Sequence, residues 1–398
     1  MSNRDARIRR DQIRLARAGM SRRQFLGRTG ALLGGLAIAP SVLAACGGSD
    51  SNSGGSAGGG GGGDKSVAIS NWVGYMAPAL LKAFRKDTGI DLSYEEDINS
   101  NNEYFAKIRP SLRKKESIDT DGFVLTDWMA NRMINEVKWV APFDEAVFPN
   151  KANLRAALAT PSFDPTRKFS APWASGVTGI AYNIDITGKE IKTIDDFLSV
   201  EGTTTILDEM RDTVGLFMRS LDISTDDPTY AAAQPALDKL AAAFDDNKIE
   251  GTNGNEYVAD LANGNLAAAF AWSGDVAQIT KSKPAVRFAV PESGGMLWSD
   301  NFMIPYSTDK VDLASEFINF FYDPKNAAIL TAEIQFISPV DGVPAELMKM
   351  GGDAAKLVDN PLVNPTDEFL ATLSIFGPLG LADEEKFDKR FAEITGSG

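Results

Sequence analysis

Tryptophan, tyrosine and carboxylate side chains stand just beyond several short apolar runs of this sequence. Trp72 and Tyr75 follow one run in Asn71-Trp72-Val73-Gly74-Tyr75, and Trp128 follows Val124-Leu125-Thr126-Asp127. Trp272 ends the run at 269–271, and Trp298 and Asp300 close Gly294-Gly295-Met296-Leu297-Trp298-Ser299-Asp300. Asp208, Glu209 and Asp212 follow Thr205-Ile206-Leu207; if a helix starts there, Glu209 and Asp212 share a face. Indole faces attract cations, and carboxylates pair with ammonium groups. Each cation–π contact contributes about 0.5–2 kcal/mol, rising as water is excluded. A cleft walled by indoles and holding two or three acids therefore suits a slender organic polycation, with methylenes on ring faces and ammonium ends on carboxylates. Taken singly, each residue also has an ordinary role, since tryptophans fill cores and Asp208 is a normal helix cap. Trp298 with Asp300 points most to a site, because a glycine pair precedes them and a polar serine separates them. Trp139 and Trp173 are assigned to packing or to a hinge, and Arg211 to a helix surface.

Composition removes whole classes of chemistry. The 398 residues contain no histidine, which excludes Ser-His-Asp and Cys-His catalysis and imidazole metal sites. Cys46 is the sole thiol, so disulfides and thiolate metal sites are excluded as well. Any metal would have to be hard and held by oxygen. Asp119-Thr120-Asp121-Gly122 lacks the further acids of a calcium loop and reads as a turn before a strand. No cofactor is expected. The first 45 residues carry +7 of the formal charge of −14, which leaves −21 from Cys46 onward. Such a surface repels nucleic acid and anionic lipid and concentrates small cations.

The elements that must position these residues alternate along the chain. Strands are expected at 67–70, 90–94, 122–125, 177–183 and 266–272. Helices are expected at 78–86 (stopped by Gly89), 103–113, 127–135, 255–263, 312–322 and from an Asp227 cap with Pro228 to about 244. Strand–helix alternation predicts sheets covered by helices, with ligands bound beyond the strand ends. The chain is long enough for two cores.

The N-terminal region has another composition. Arg22 and Arg23 in Ser21-Arg22-Arg23-Gln24-Phe25-Leu26 resemble a twin-arginine export signal. The apolar run at 31–45 is too short to span a bilayer and ends in small residues. Leu43-Ala44-Ala45-Cys46 resembles a bacterial lipobox, which implies cleavage before Cys46 and lipidation of its thiol. The Gly/Ser-rich stretch that follows reads as a flexible tether.

From Val67 to Ile394 the chain resembles a bacterial extracellular solute-binding protein of the spermidine/putrescine-binding family. The matching segments are Asn71-Trp72-Val73-Gly74-Tyr75, Phe105-Ala106-Lys107-Ile108, the block at 121–133, Phe169-Ser170-Ala171-Pro172-Trp173, Asp208-Glu209-Met210-Arg211-Asp212, Ala271-Trp272-Ser273-Gly274 and Gly295-Met296-Leu297-Trp298-Ser299-Asp300. The spacing of the last is quite specific. The resemblance implies an α/β, two-lobed periplasmic-binding-protein fold (type II), with two mixed sheets flanked by helices and joined by a hinge. It implies an aromatic box of Trp72, Tyr75, Trp128, Trp272 and Trp298, and Asp300 as an ammonium anchor. Glu209 and Asp212 match a pair of acids in the family with Asp and Glu exchanged, which leaves ligand length open. Trp128 stands where the family has tyrosine, and the family's C-terminal glutamine has no counterpart around Phe376-Gly377.

The expected organisation is a signal at 1–45, a tether at 46–64, one lobe from 65–177 plus 300–343, and a second from 178–299 plus 344–398. The expected function is that of a lipid-anchored, monomeric binding component of an ABC importer, in the periplasmic space or on the outer face of the cytoplasmic membrane. It would bind a polyamine and deliver it to a membrane permease, with no nucleic-acid partner and no catalysis. A receptor for a sugar or another small amino compound is the alternative, and a secreted two-carboxylate hydrolase the more distant one.

Overall fold

The computed structural model describes residues 65–396. The export signal with Arg22 and Arg23, the lipidation site Cys46 and the tether through residue 64 lie outside them. Eleven strands are formed: β1 Ser66–Trp72, β2 Asp91–Ile98, β3 Gly122–Thr126, β4 Val140–Ala141, β5 Ala171–Asn183, β6 Thr204–Leu207, β7 Gly251–Asn253, β8 Ala268–Trp272, β9 Val286–Ala289, β10 Gly295–Pro305 and β11 Leu373–Ser374. The helices that bear on the site are α1 Pro78–Thr88, α2 Asn101–Arg113, α3 Asp127–Asn131, α4 Met210–Arg219, α5 Gln234–Asp245, α6 Ser273–Thr280, α7 Val311–Phe321, α8 Pro324–Ile334 and α9 Leu381–Thr395.

Local chemistry sets their ends. Pro78 opens α1, where its missing N–H costs nothing, and Gly89 closes it in the left-handed region at φ 68°. Ser100 caps α2 by accepting from the Glu103 N–H. Tyr322 is the C-cap of α7, and the next residue, Asp323, caps α8 by accepting from Lys325 N and Asn326 N. Two expected helices form differently, and the strand expected at 177–183 starts earlier, at Ala171. The helix expected from Asp227 starts only at Gln234, with Pro235 in its first turn. The helix expected at 127–135 is α3 followed by one π-helical turn at Arg132–Glu136.

The strands follow the order β2-β1-β3-β10-β5-β8-β6-β7. β1 pairs in parallel with β2 and β3, and β6 in parallel with β7 and β8. Between these two arms run β5 and β10, antiparallel to each other and to β8 and β3 respectively. The two mixed sheets expected from the sequence are thus arms of one hydrogen-bonded path. The cause is the length of β5 and β10, 13 and 11 residues. Each is long enough to serve both arms: β10 pairs Asp300–Met303 with β3, while β5 pairs Thr178–Tyr182 with β8. Every residue of β5 except Asn183 is buried, as suits a strand covered on both faces. A third segment joins them where Ser175 and Ile337 exchange N–H···O bonds of 2.9 and 2.8 Å.

Each arm has its own aromatic packing. Phe317 and Phe321 pack on Trp173, whose ring lies 5.9 Å from that of Phe317 and parallel to it within 2°, and Phe84 meets Phe317 edge-on. Phe197 and Phe217 flank Phe270 in the other arm. Trp139 stacks on Phe105. Trp139 and Trp173, expected in packing or in a hinge, both stack on phenylalanine rings. Among the described residues no helix is long and apolar enough to cross a membrane.

Candidate functional site

The C-terminal ends of β1, β3, β6 and β8 converge between the two arms, and the residues just past them face a common space. Trp72, Tyr75, Trp128, Glu209, Asp212, Trp272, Trp298 and Asp300 all line this one cavity of about 70 Å³. At about 10–15 Å³ per water-sized group, that is room for roughly five such groups.

Three indoles form a chain of edge-to-face contacts. Trp72 and Trp272 lie 5.8 Å apart at 78°, and Trp272 and Trp298 lie 6.3 Å apart at 76°. Each N–H is spent on the protein: Trp72 Nε1 donates to Val124 O (3.0 Å), Trp298 Nε1 to Thr178 Oγ1 (3.1 Å) and Trp272 Nε1 to Asp212 Oδ2 (3.0 Å). Those bonds fix ring orientation and leave the faces for apolar or cationic contact. Tyr75 joins the cluster through Phe336, which touches both Tyr75 and Trp298. Two glycines make space for it. A Cβ on Gly176 would lie 2.4 Å from the Trp298 ring, and one on Gly274 2.4 Å from Phe336.

Asp300 and Glu209 are buried, Asp212 is half-buried, and all three are held by hydrogen bonds. Asp300 accepts from Tyr75 Oη (2.9 Å) and Thr126 Oγ1 (2.7 Å). Glu209 Oε1 accepts from Asn101 N (2.8 Å) and Asn101 Nδ2 (3.0 Å), so it meets the N-terminus of α2 from the opposite arm. Asp212 sits in the first turn of α4, beside Glu209 at its N-cap, as the helical spacing predicts. Burial pushes Asp300 and Asp212 up to about 7, against the bonds from Thr126 and Tyr75 and from Trp272 that favour the ionised forms. Burial also raises Glu209.

Sequence reasoning missed several lining residues. Asp127 lines the cavity, accepts from Asn301 Nδ2 (2.6 Å) and is raised to about 6 by burial. Asp275 also lines it and accepts from Tyr257 Oη (2.6 Å), which in turn accepts from Trp272 N (3.0 Å). Asp275 follows β8 in the first turn of α6 as Asp212 follows β6 in α4, so the same strand-to-helix signal could have found it. Phe336 had no such signal. It reaches the cavity because Gln335 ends α8 in the left-handed region at φ 55°. Asp208 is not among the lining residues.

Arg211 is a correction. It is not a surface residue but 8% exposed, and it lines the cavity. Its guanidinium stands 3.8 Å over the Trp128 ring and is paired with Glu384 of α9. Trp128 therefore lines the same cavity as the indole chain while already carrying one of the protein's own cations.

The arrangement can hold cations. Five carboxylates (Asp127, Glu209, Asp212, Asp275 and Asp300) face the cavity with Arg211 as the cationic lining residue. Burying that many acids is costly unless positive charge arrives.

Comparison with known proteins finds relatives of this chain. The chain is 27% identical over 336 residues to the putrescine-binding periplasmic protein PotF of Escherichia coli strain K12, covering 78% of this chain and 85% of that one. A solved chain from Listeria monocytogenes assigned to spermidine/putrescine ABC transport aligns with a TM-score of 0.73 and 26% identity, covering 84% of this chain and 100% of that one. The spermidine/putrescine ABC transporter substrate-binding protein PotD of Streptococcus pneumoniae aligns with a TM-score of 0.67 and 24% identity over 83% of this chain and 98% of that one, which shows the shared two-lobed fold. The family model for bacterial extracellular solute-binding proteins, which are transport receptors and not enzymes, matches residues 79–361. By that match over most of its length, the chain belongs to the bacterial extracellular solute-binding proteins.

Proposed function

We propose that this chain is the substrate-binding component of an ABC importer and that its ligand is a polyamine of the putrescine/spermidine class. The observation that carries this reading is the cavity's charge: five carboxylates against Arg211, whose own charge is matched by Glu384. A neutral sugar would leave those carboxylates buried without counter-charge, whereas an alkyl chain ending in ammonium groups supplies it. The polyamine binders among its relatives support the same ligand class.

The ligand's methylenes lie along Trp72, Trp272 and Trp298, and its ammonium ends meet Asp300 and the acids of α4. The two lobes are 65–177 plus 300–343 and 178–299 plus 344–398, with β5, β10 and the segment around Ile337 as the hinge. Ligand binds the closed form more tightly than the open one, and that difference drives closure. The closed monomer then docks on a membrane permease. Arg22 and Arg23 direct export, lipid on Cys46 holds the protein at the membrane, and the tether lets the folded body move beside it.

The test is a titration of intrinsic fluorescence, since four tryptophans line the proposed site. Saturable quenching or enhancement by putrescine or spermidine, with none by glucose, is expected. Saturation by glucose alone would replace the polyamine reading with a sugar receptor.

A further inference from the structure

A charged cluster at the edge of the cavity, with Arg211 and Trp128 in its lining and Glu384 and Arg132 behind them, spans the two arms. Glu384, in the first turn of α9, is 7% exposed and divides its two oxygens between two guanidinium groups. Oε1 takes Arg211 Nη2, and Oε2 takes Arg132 Nη2 at 2.6 Å. Both guanidinium groups meet the same indole, Arg211 at 3.8 Å and Arg132 at 5.2 Å from the Trp128 ring centre. Arg132 also lies 5.5 Å over the Phe105 ring.

The origins of these residues give the cluster its meaning. Trp128 and Arg132 follow β3 and belong to the arm of β1–β3. Arg211 is in α4, which follows β6 of the other arm. Helix α9 packs on α4 and α5 of that second arm, where Asp383 accepts from Tyr230 N (3.2 Å) and Phe387 meets the Tyr230 ring edge-on. The Arg132–Glu384 bond and the Arg211–Trp128 stack therefore both cross the cleft. They can form only when the arms are together. Burial opposes the ionised form of Glu384, but Arg211 and Arg132 outweigh it and hold the carboxyl below its ordinary range. A buried carboxylate shared by two arginines is costly to strip of either partner.

We propose that Glu384 is a positioning residue for ligand retention: through Arg132 and Arg211 it latches the C-terminal helix across the cleft beside Trp128 and slows opening of the closed form. This rests on the polyamine-receptor reading above. Glu384 itself does not line the cavity, so it acts on the ligand's exit and not on its contacts.

The test uses stopped-flow tryptophan fluorescence of the full chain with putrescine and with spermidine. Glu384→Gln should raise the dissociation rate about tenfold or more and leave the association rate within about twofold, because the latch forms after encounter. Arg132→Gln should match it, and the double variant should be no worse than either single one, as for residues acting as one unit. Glu384→Asp should recover part of the loss. An unchanged dissociation rate in Arg132→Gln, or additive effects in the double variant, would overturn the latch. Should Glu384→Gln fail to fold, Arg132→Gln alone carries the test. Small-angle scattering separates this proposal from the ligand assignment. The ligand-free Arg132→Gln chain should be more extended than wild type whether or not polyamines bind, and identical scattering would overturn the latch even if the polyamine reading stood.

Discussion

Tyr75 donates a 2.9 Å hydrogen bond to Asp300 across 225 residues of sequence, tying the turn after β1 to the middle of β10. Thr126, at the end of β3, donates to the other oxygen at 2.7 Å. Asp300 thus comes oriented by its own arm before any ligand arrives. Asp300→Ala is expected to weaken polyamine binding by about tenfold or more, through loss of a charge-assisted contact in a dry cleft. Tyr75→Phe should cost less, since Thr126 still holds the carboxylate. Calorimetric affinities of the two variants check this ordering; near-normal affinity in Asp300→Ala would contradict the site.

Ligand binding should release protons near neutral pH. Burial raises Asp300 and Asp212 to about 7, so a fraction of each is protonated there. An ammonium group favours the ionised carboxylates and pulls these values down. Affinity should therefore fall as pH drops from 8 to 5, approaching about tenfold per pH unit for each coupled carboxylate. Titrations in buffers of different ionisation enthalpy measure the released protons directly. Proton uptake, or affinity independent of pH over that range, would refute the linkage.

Stability without ligand should run the other way. In the closed form these carboxylates have folded values above their unfolded ones, so the folded state binds more protons between about pH 4 and 7. The contribution of Asp300 and Asp212 to stability is fully present below the unfolded value and is lost as pH rises through about 7. The gain in thermal midpoint given by polyamine should be larger at pH 8 than at pH 5.5, as differential scanning calorimetry can determine.

Gly176→Ala tests the packing behind the indoles. Its Cβ would stand 2.4 Å from Trp298 and 2.8 Å from Phe336. One or both rings must move, at a cost of about 1–3 kcal/mol in stability. Polyamine affinity should fall with it, because Trp298 forms one wall. A variant with wild-type melting and affinity would show that the ring is not fixed there.

Much of this was legible in the sequence because the signals were local. Period-2 and period-3.6 apolar patterns place β1–β3 and α1–α2, and the residues after apolar runs give eight of the lining side chains. Asp275 obeys the same rule, in the first turn of the helix that follows β8. Arg211 and Phe336 were not visible, since their positions depend on tertiary contacts with Glu384 and with Gly176 and Gly274. The continuous sheet was likewise hidden, because the apolar run at 177–183 gave no sign that β5 begins at Ala171 and so reaches both arms.

The most direct measurement is isothermal titration of the protein from Lys65 onward, freed of carried-over ligand, with putrescine, spermidine, spermine and a neutral sugar. The account predicts saturable one-to-one binding of at least one polyamine, weakened about tenfold or more in Asp300→Ala, and no heat of binding with the sugar. Silence with all three polyamines from a folded sample would contradict it.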